Sequence, residues 1–216
     1  MMEKPDYLEY KEERKEVARF MRRLYNQGLT TTSGGNISHR VSDNVIAITP
    51  SATDKGTMRW REVGLMSISG ENLTPELKPS IESGMHLLIY RKKTDIRAIV
   101  HAHPVFASAF TAMNLTIDTD LTAEAKAICG DPVLVPYALM GTKELAHLAA
   151  ESILKSEILL LENHGVLAVG KSLLQAFDRL EVVENAARMT FITGLAGKKK
   201  PLTGSQVSEL NRLFRT

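Results

Sequence analysis

Ile158-Leu159-Leu160-Leu161-Glu162-Asn163-His164-Gly165-Val166-Leu167-Ala168-Val169 sets two short apolar runs on either side of a polar break. Apolar runs this short have the length of strands rather than helices, and the break has the length of a hairpin turn. Two strands joined by a hairpin run antiparallel, whereas a parallel pair needs a crossover of about a dozen residues or more. The same grammar recurs upstream, where Ile37–Val41 and Val45–Thr49 flank Ser42-Asp43-Asn44. Gly64–Ser69, Ile96–His101 and Val133–Tyr137 are further strand candidates, and Leu73–Ser80, with two prolines, reads as a loop. A mixed or antiparallel sheet covered by helices therefore fits better than a doubly wound parallel one.

The helices follow from apolar spacing and end signals. Val17, Phe20, Met21 and Leu24 recur at helical spacing, and Gly28 offers a C-terminal stop. Ser80 is placed to cap a helix burying Met85, Leu88 and Ile89, and Pro104 suits the first turn of a helix through about Met113. Lys143–Lys155 forms another helix. The longest runs from about Leu173 to Thr193, with Leu173, Phe177, Leu180, Val183 and Ala187 on one stripe. After the Lys198-Lys199-Lys200-Pro201 linker, Thr203 and Gln206 have capping-box spacing for a last helix carrying Val207, Leu210 and Phe214.

Composition narrows the chemistry. The 216 residues are 44% hydrophobic and 24% charged, the balance of one ordinary globular domain spanning 1–216. A net charge of +2 with both signs interspersed gives no footprint for nucleic acid or an anionic membrane. Residues 1–20 lack the apolar stretch of a signal peptide, and no run approaches a membrane span, so the cytoplasm is the expected location. Cys129 is the one cysteine, so any metal must be held by the six histidines and the carboxylates.

His101-Ala102-His103 ends an apolar strand, and side chains two apart on a strand share a face. The pair can converge on one ion, or simply face water at a strand end. His164, in the Glu162–Gly165 break, is a third candidate ligand or an exposed hairpin residue. Three imidazoles leave an open coordination position, the catalytic arrangement of zinc. Glu82 and His86 lie four apart on one helix. Glu82 sits where a helix dipole favours an ionised carboxylate and a general base can stand, while His86 reads as structural. His39 and His147 read as surface residues. Ser33-Gly34-Gly35-Asn36 and Thr49-Pro50-Ser51-Ala52-Thr53, with Ser80, offer N–H and hydroxyl groups for a phosphate, or are turns with no ligand.

Six motifs occur in one order: Thr-Ser-Gly-Gly-Asn-Ile-Ser at 32–38, Ile-Thr-Pro-Ser at 48–51 and Lys-Pro-Ser-Ile-Glu at 78–82. They continue with Val-His-Ala-His-Pro at 100–104, Pro-Tyr-Ala-Leu-Met-Gly-Thr at 136–142 and Leu-Glu-Asn-His-Gly-Val at 161–166. From about residue 10 to residue 195 the chain resembles the class II aldolase/adducin family, and within it the L-fuculose-1-phosphate aldolase type. The resemblance implies a three-layer α/β/α domain around a largely antiparallel sheet, assembled as a homotetramer with active sites at subunit interfaces. It implies zinc (manganese or cobalt as alternatives) on His101, His103 and His164, with Glu82 as the proton-transfer residue. It also implies a sugar phosphate held by Gly35, Asn36, Ser51 and Ser80. The implied reaction is cleavage of a ketose 1-phosphate to dihydroxyacetone phosphate and an aldehyde.

The chain departs from the pattern in three places. Ile81 stands where the family has a second serine, and no tyrosine follows Tyr137, although the aldolases use two in proton transfer. The related L-ribulose-5-phosphate 4-epimerases usually have aspartate at the position of Glu82 and need another near 126, which is Lys126 here. The same scaffold supports epimerisation, dehydration and decarboxylation of sugar phosphates, and also an adducin-like assembly module without catalysis.

Overall fold

The computed structural model describes residues 9–214, so residues 1–8 and 215–216 of the span 1–216 lie outside the described residues. The strands are β1 Asn36–Arg40, β2 Val45–Ile48, β3 Gly64–Ser67, β4 Ala98–Ala102, β5 Val133–Val135, β6 Ile158–Leu161 and β7 Gly165–Gly170. The helices are α1 Lys11–Asn26, α2 Ser83–Lys92, α3 Val105–Met113, α4 Ala123–Cys129, α5 Lys143–Ser152, α6 Leu173–Ala196 and α7 Gly204–Phe214. One sheet has the order β3-β2-β1-β4-β7-β6-β5. Its neighbours are antiparallel except for the β5–β6 pair at one edge, as the hairpin grammar requires. In the β6–β7 hairpin, Leu161 faces Gly165 and Ile158 faces Ala168, and Asn163 closes the turn in the left-handed region at φ 53°.

Side-chain alternation divides the core into two layers. Ile37, Ala98, Val100, Ile158, Leu160, Val166 and Ala168 pack with α1, α3, α4 and α6 on one face. Ile46, Ile99, Leu159, Leu161, Leu167 and Val169 pack with α2 and α5 on the other. The period of two along each strand is what allows one sheet to serve two apolar layers, giving helices, sheet, helices. No helix among the described residues is long and apolar enough to cross a membrane.

Several expectations shift. The helix expected to be capped by Ser80 starts at Ser83, with Glu82 at its N-cap position. The Ser80 hydroxyl accepts from the Glu82 N–H at 3.3 Å, and the Ser80 carbonyl accepts from the Ser83 N–H, so a turn precedes the helix proper. Leu87, His86 and Tyr90 are buried along with Met85 and Ile89, because α2 packs against both the sheet and α5 and has little exposed face. Pro104 is the N-cap of α3 rather than a residue of its first turn. A short helix, α4, occupies 123–129, where its Ala-rich sequence gives little periodic signal. Thr203 and Gln206 make their reciprocal capping bonds at 2.8 and 3.4 Å.

Candidate active site

β4 brings His101 to the α2 face of the sheet, since Ala98, Val100 and Ala102 point to the opposite core. His103 follows on the same side just beyond the strand. The β6–β7 turn carries His164 to the same point, because β7 pairs directly with β4 and Ala102 is registered with Val166. Gly165 is required at this crossing: a Cβ there would stand 2.5 Å from the Ala102 carbonyl and 2.6 Å from the His103 ring. The donor atoms of His101, His103 and His164 lie within 4.8 Å of one another, with His101 fully buried and the other two partly so.

The tautomer of His101 follows from its partners. Its Nδ1–H donates to the Val166 carbonyl at 2.9 Å, leaving the Nε2 lone pair directed into the cluster. That Nε2 is 3.2 Å from His103 Nε2 and 3.3 Å from Glu82 Oε2. Lone pairs this close repel unless a proton or a cation lies among them. Tetrahedral zinc with nitrogen ligands at about 2.0–2.1 Å separates them by roughly 3.3 Å, so the donor set fits a divalent ion.

Glu82 closes the remaining side. Its Oε1 is 3.4 Å from His164 Nε2, and its Oε2 accepts from the Asn36 amide at 2.7 Å. Asn36 reaches it because β1 pairs antiparallel with β4, Asn36 opposite His101, with α2 packed over both. Burial pushes the Glu82 carboxyl up, but the His101 and His164 imidazoles and the Asn36 amide outweigh it and hold the group well below the carboxylate range. Burial opposes a charge on His101, yet Glu82 and the Val166 carbonyl raise it overall. Burial, then the neighbouring His101 and His164 imidazoles, pushes His103 down to about 3; burial and His101 push His164 down to about 4. Glu82 and His101 thus favour each other's charged forms, while burial favours the neutral, ligating forms of His103 and His164.

Three loops meet beside this centre. Ser51 N–H donates to the Lys78 carbonyl at 3.0 Å, and the Ser51 hydroxyl accepts from the Ile81 N–H at 3.2 Å. The Thr49 hydroxyl accepts from the Ile37 N–H at 3.1 Å. Gly35, at φ 67°, lies against the His101 carbonyl, which a Cβ would approach to 2.8 Å. Gly35, Asn36, Ser51, Ser80 and Glu82 are therefore drawn together from segments distant in sequence. The Asn36 amide donates to Glu82, a pairing with no local sequence signal. His86 is fully buried, bonded through Nδ1 to Ser38 Oγ at 2.7 Å, and His147 is exposed. His39, expected at the surface, is partly covered and lies 3.9 Å from Glu16. Lys126 is held 2.8 Å from Asp120 and 2.7 Å from Asp131.

Known proteins share both sequence and fold with this chain. The family model for the class II aldolase and adducin N-terminal domain matches residues 15–191. The 5-deoxy-D-ribulose 1-phosphate aldolase of Bacillus thuringiensis serovar kurstaki is 33% identical over 94% of this chain and 95% of its own length. The 3-oxo-tetronate 4-phosphate decarboxylase of Haemophilus influenzae is 31% identical over 88% of this chain and 91% of its own. A solved structure of L-fuculose 1-phosphate aldolase superposes with a TM-score of 0.86 at 31% identity, covering 94% of this chain and 96% of that one.

Proposed function

Because this chain belongs to the class II aldolase and adducin family, we propose that it is a metal-dependent lyase acting on a ketose 1-phosphate. The products are dihydroxyacetone phosphate and an aldehyde, and the substrate is of the L-fuculose 1-phosphate kind, with residues 1–216 forming one catalytic domain. The observation that carries this reading is the contact of Glu82 with His101 and His164 at 3.3 and 3.4 Å inside a three-histidine cluster.

His101, His103 and His164 would hold the ion, zinc in the first instance and manganese or cobalt as substitutes. When bound, it supplies Lewis-acid polarisation of the substrate's C2 carbonyl. The chain's own groups do the rest. Glu82 returns a proton to C3 once the C3–C4 bond has broken, and in the synthetic direction removes it from the hydroxymethyl carbon of dihydroxyacetone phosphate. Asn36 holds the Glu82 carboxylate at one orientation through its 2.7 Å bond. Gly35, Asn36, Ser51 and Ser80 fix the phosphate, which positions C3 against Glu82. The complete histidine set supports an enzyme over a metal-free assembly module.

Decarboxylation of a phosphorylated keto acid is a second reading. It is favoured by the lack of any tyrosine after Tyr137 and by the 31% identity to the decarboxylase. Lys126, bound between two aspartates where the epimerases need a carboxylate, speaks against epimerisation. The metal-loaded protein should be incubated with C5 and C6 ketose 1-phosphates and with a 3-oxo acid 4-phosphate. Release of dihydroxyacetone phosphate supports the aldolase, and release of carbon dioxide supports the decarboxylase. Isomerised sugar without cleavage would overturn both.

The same reading includes a cytoplasmic homotetramer with sites between subunits. Its support is an apolar group left exposed beside the site: Ile81, Tyr137, Leu139 and Met140.

A further inference from the structure

Lys55 is 1% exposed and is among the largest fully buried side chains of the protein. Its Nζ donates to the Pro50 carbonyl at 2.7 Å and reaches the Thr53 hydroxyl at 3.5 Å, folding back over the loop that holds Ser51. Its backbone N–H donates to the Thr32 carbonyl at 2.9 Å, tying that loop to the segment leading into Gly35 and Asn36. No carboxylate lies within ion-pair distance of this amino group among the described residues. Two other buried charges are ion-paired, Lys126 with two aspartates and Glu82 with two histidines, whereas buried Glu184 is met by the Phe106 and Ala107 N–H groups.

A buried ammonium without a counter-ion is costly, and a carbonyl and a hydroxyl satisfy its hydrogens but not its charge. Burial pushes Lys55 down to about 8, opposed only by the weaker attraction of Glu62. The loop itself suits an anion. Ala52 takes the left-handed conformation at φ 53°, and turns with such a change of backbone sign are a common setting for anion sites. Ser51 and Thr53 flank it with hydroxyls.

We infer that Lys55 is the buried counter-charge of the phosphate loop, a positioning and specificity residue that makes the site select a dianionic phosphate ester over the neutral sugar. It acts through the loop rather than by touching substrate. Its bond to Pro50 shapes the 50–55 turn, and its charge, little screened beneath the surface, stabilises the anion held by Ser51 and its neighbours. This inference rests on the reading that the substrate is phosphorylated.

The test uses the metal-loaded full-length protein, with inorganic phosphate as probe. Lys55→Gln keeps a donor for the Pro50 carbonyl and removes the charge; Lys55→Arg keeps the charge. Phosphate Kd should rise tenfold or more in Lys55→Gln and stay within about threefold in Lys55→Arg. In turnover, KM for the phosphorylated substrate should rise with kcat changed less than threefold. A folded Lys55→Gln protein that binds phosphate like the wild type would overturn the inference. If neither variant folds, the Lys55 ε-carbon resonance of the wild-type protein decides: it should shift on phosphate addition, and no shift at saturation overturns the inference. A wild-type protein that binds neither phosphate nor any sugar phosphate would instead defeat the reading beneath it.

Discussion

Asn36 Nδ2 donates to Glu82 Oε2 at 2.7 Å, joining the first residue of a strand to the N-cap of a helix 46 positions later. Both side chains are buried, and Glu82 uses its remaining contacts on two histidines. The carboxylate is thereby fixed in place and kept ionised, the condition a proton-transfer group needs if it is to meet substrate as a base.

Glu82→Gln should bind a divalent ion with affinity within about tenfold of wild type while kcat falls by about 10²- to 10⁴-fold, the usual contribution of a positioned acid–base group. Metal content by elemental analysis and single-substrate kinetics check both halves. Near-normal turnover would remove Glu82 from its assigned role.

Gly165→Ala would force a Cβ to 2.5 Å from the Ala102 carbonyl and 2.6 Å from the His103 ring. Backbone and the ring of a proposed ligand must both shift, so stability should fall by about 1–3 kcal/mol and metal affinity by tenfold or more. Urea unfolding and a competitive chelator titration measure the two. Gly194→Ala, where a Cβ meets open space, is the control.

Acid should destabilise the metal-free protein, in part through His86. Burial pushes His86 down to about 3, so between that value and its unfolded value near 6.5 the unfolded chain binds the extra proton. Its contribution is present above pH 6.5 and is lost as pH falls, amounting to about 2 kcal/mol by pH 5. His86→Asn, which keeps a donor toward Ser38, should be less stable at pH 7 but lose less between pH 7 and 5. Equal losses in the two proteins would show that another group titrates.

Leu139, exposed next to Tyr137 and Met140, should lie at a subunit contact if sites are shared between chains. Light scattering should give four times the chain mass for the wild type and a smaller species for Leu139→Asp, with activity falling alongside. A wild-type monomer with full turnover would exclude the tetramer.

Local order in the chain was enough for the antiparallel character of the sheet and for naming His101, His103 and His164 as candidate ligands. The Ile158–Val169 hairpin fixes antiparallel pairing by turn length alone, and alternation along each strand assigns its two faces. His101 and His103 share a face by the same rule. Local order was silent on where α2 begins, because a turn through Ser80 and Ser83 and a helix N-terminus look alike in sequence. Lys55 in Thr53-Asp54-Lys55-Gly56 has the composition of an exposed turn, and only the folding of that loop against Thr32 buries it. The meeting of Asn36, Glu82, His101 and His164 likewise depends on β1 pairing with β4, β4 with β7, and α2 lying across them. Residue type and spacing determined what chemistry was possible. Which groups touch, and so which charges are matched, was decided by long-range packing, since desolvation and hydrogen-bond geometry exist only once distant segments are brought together.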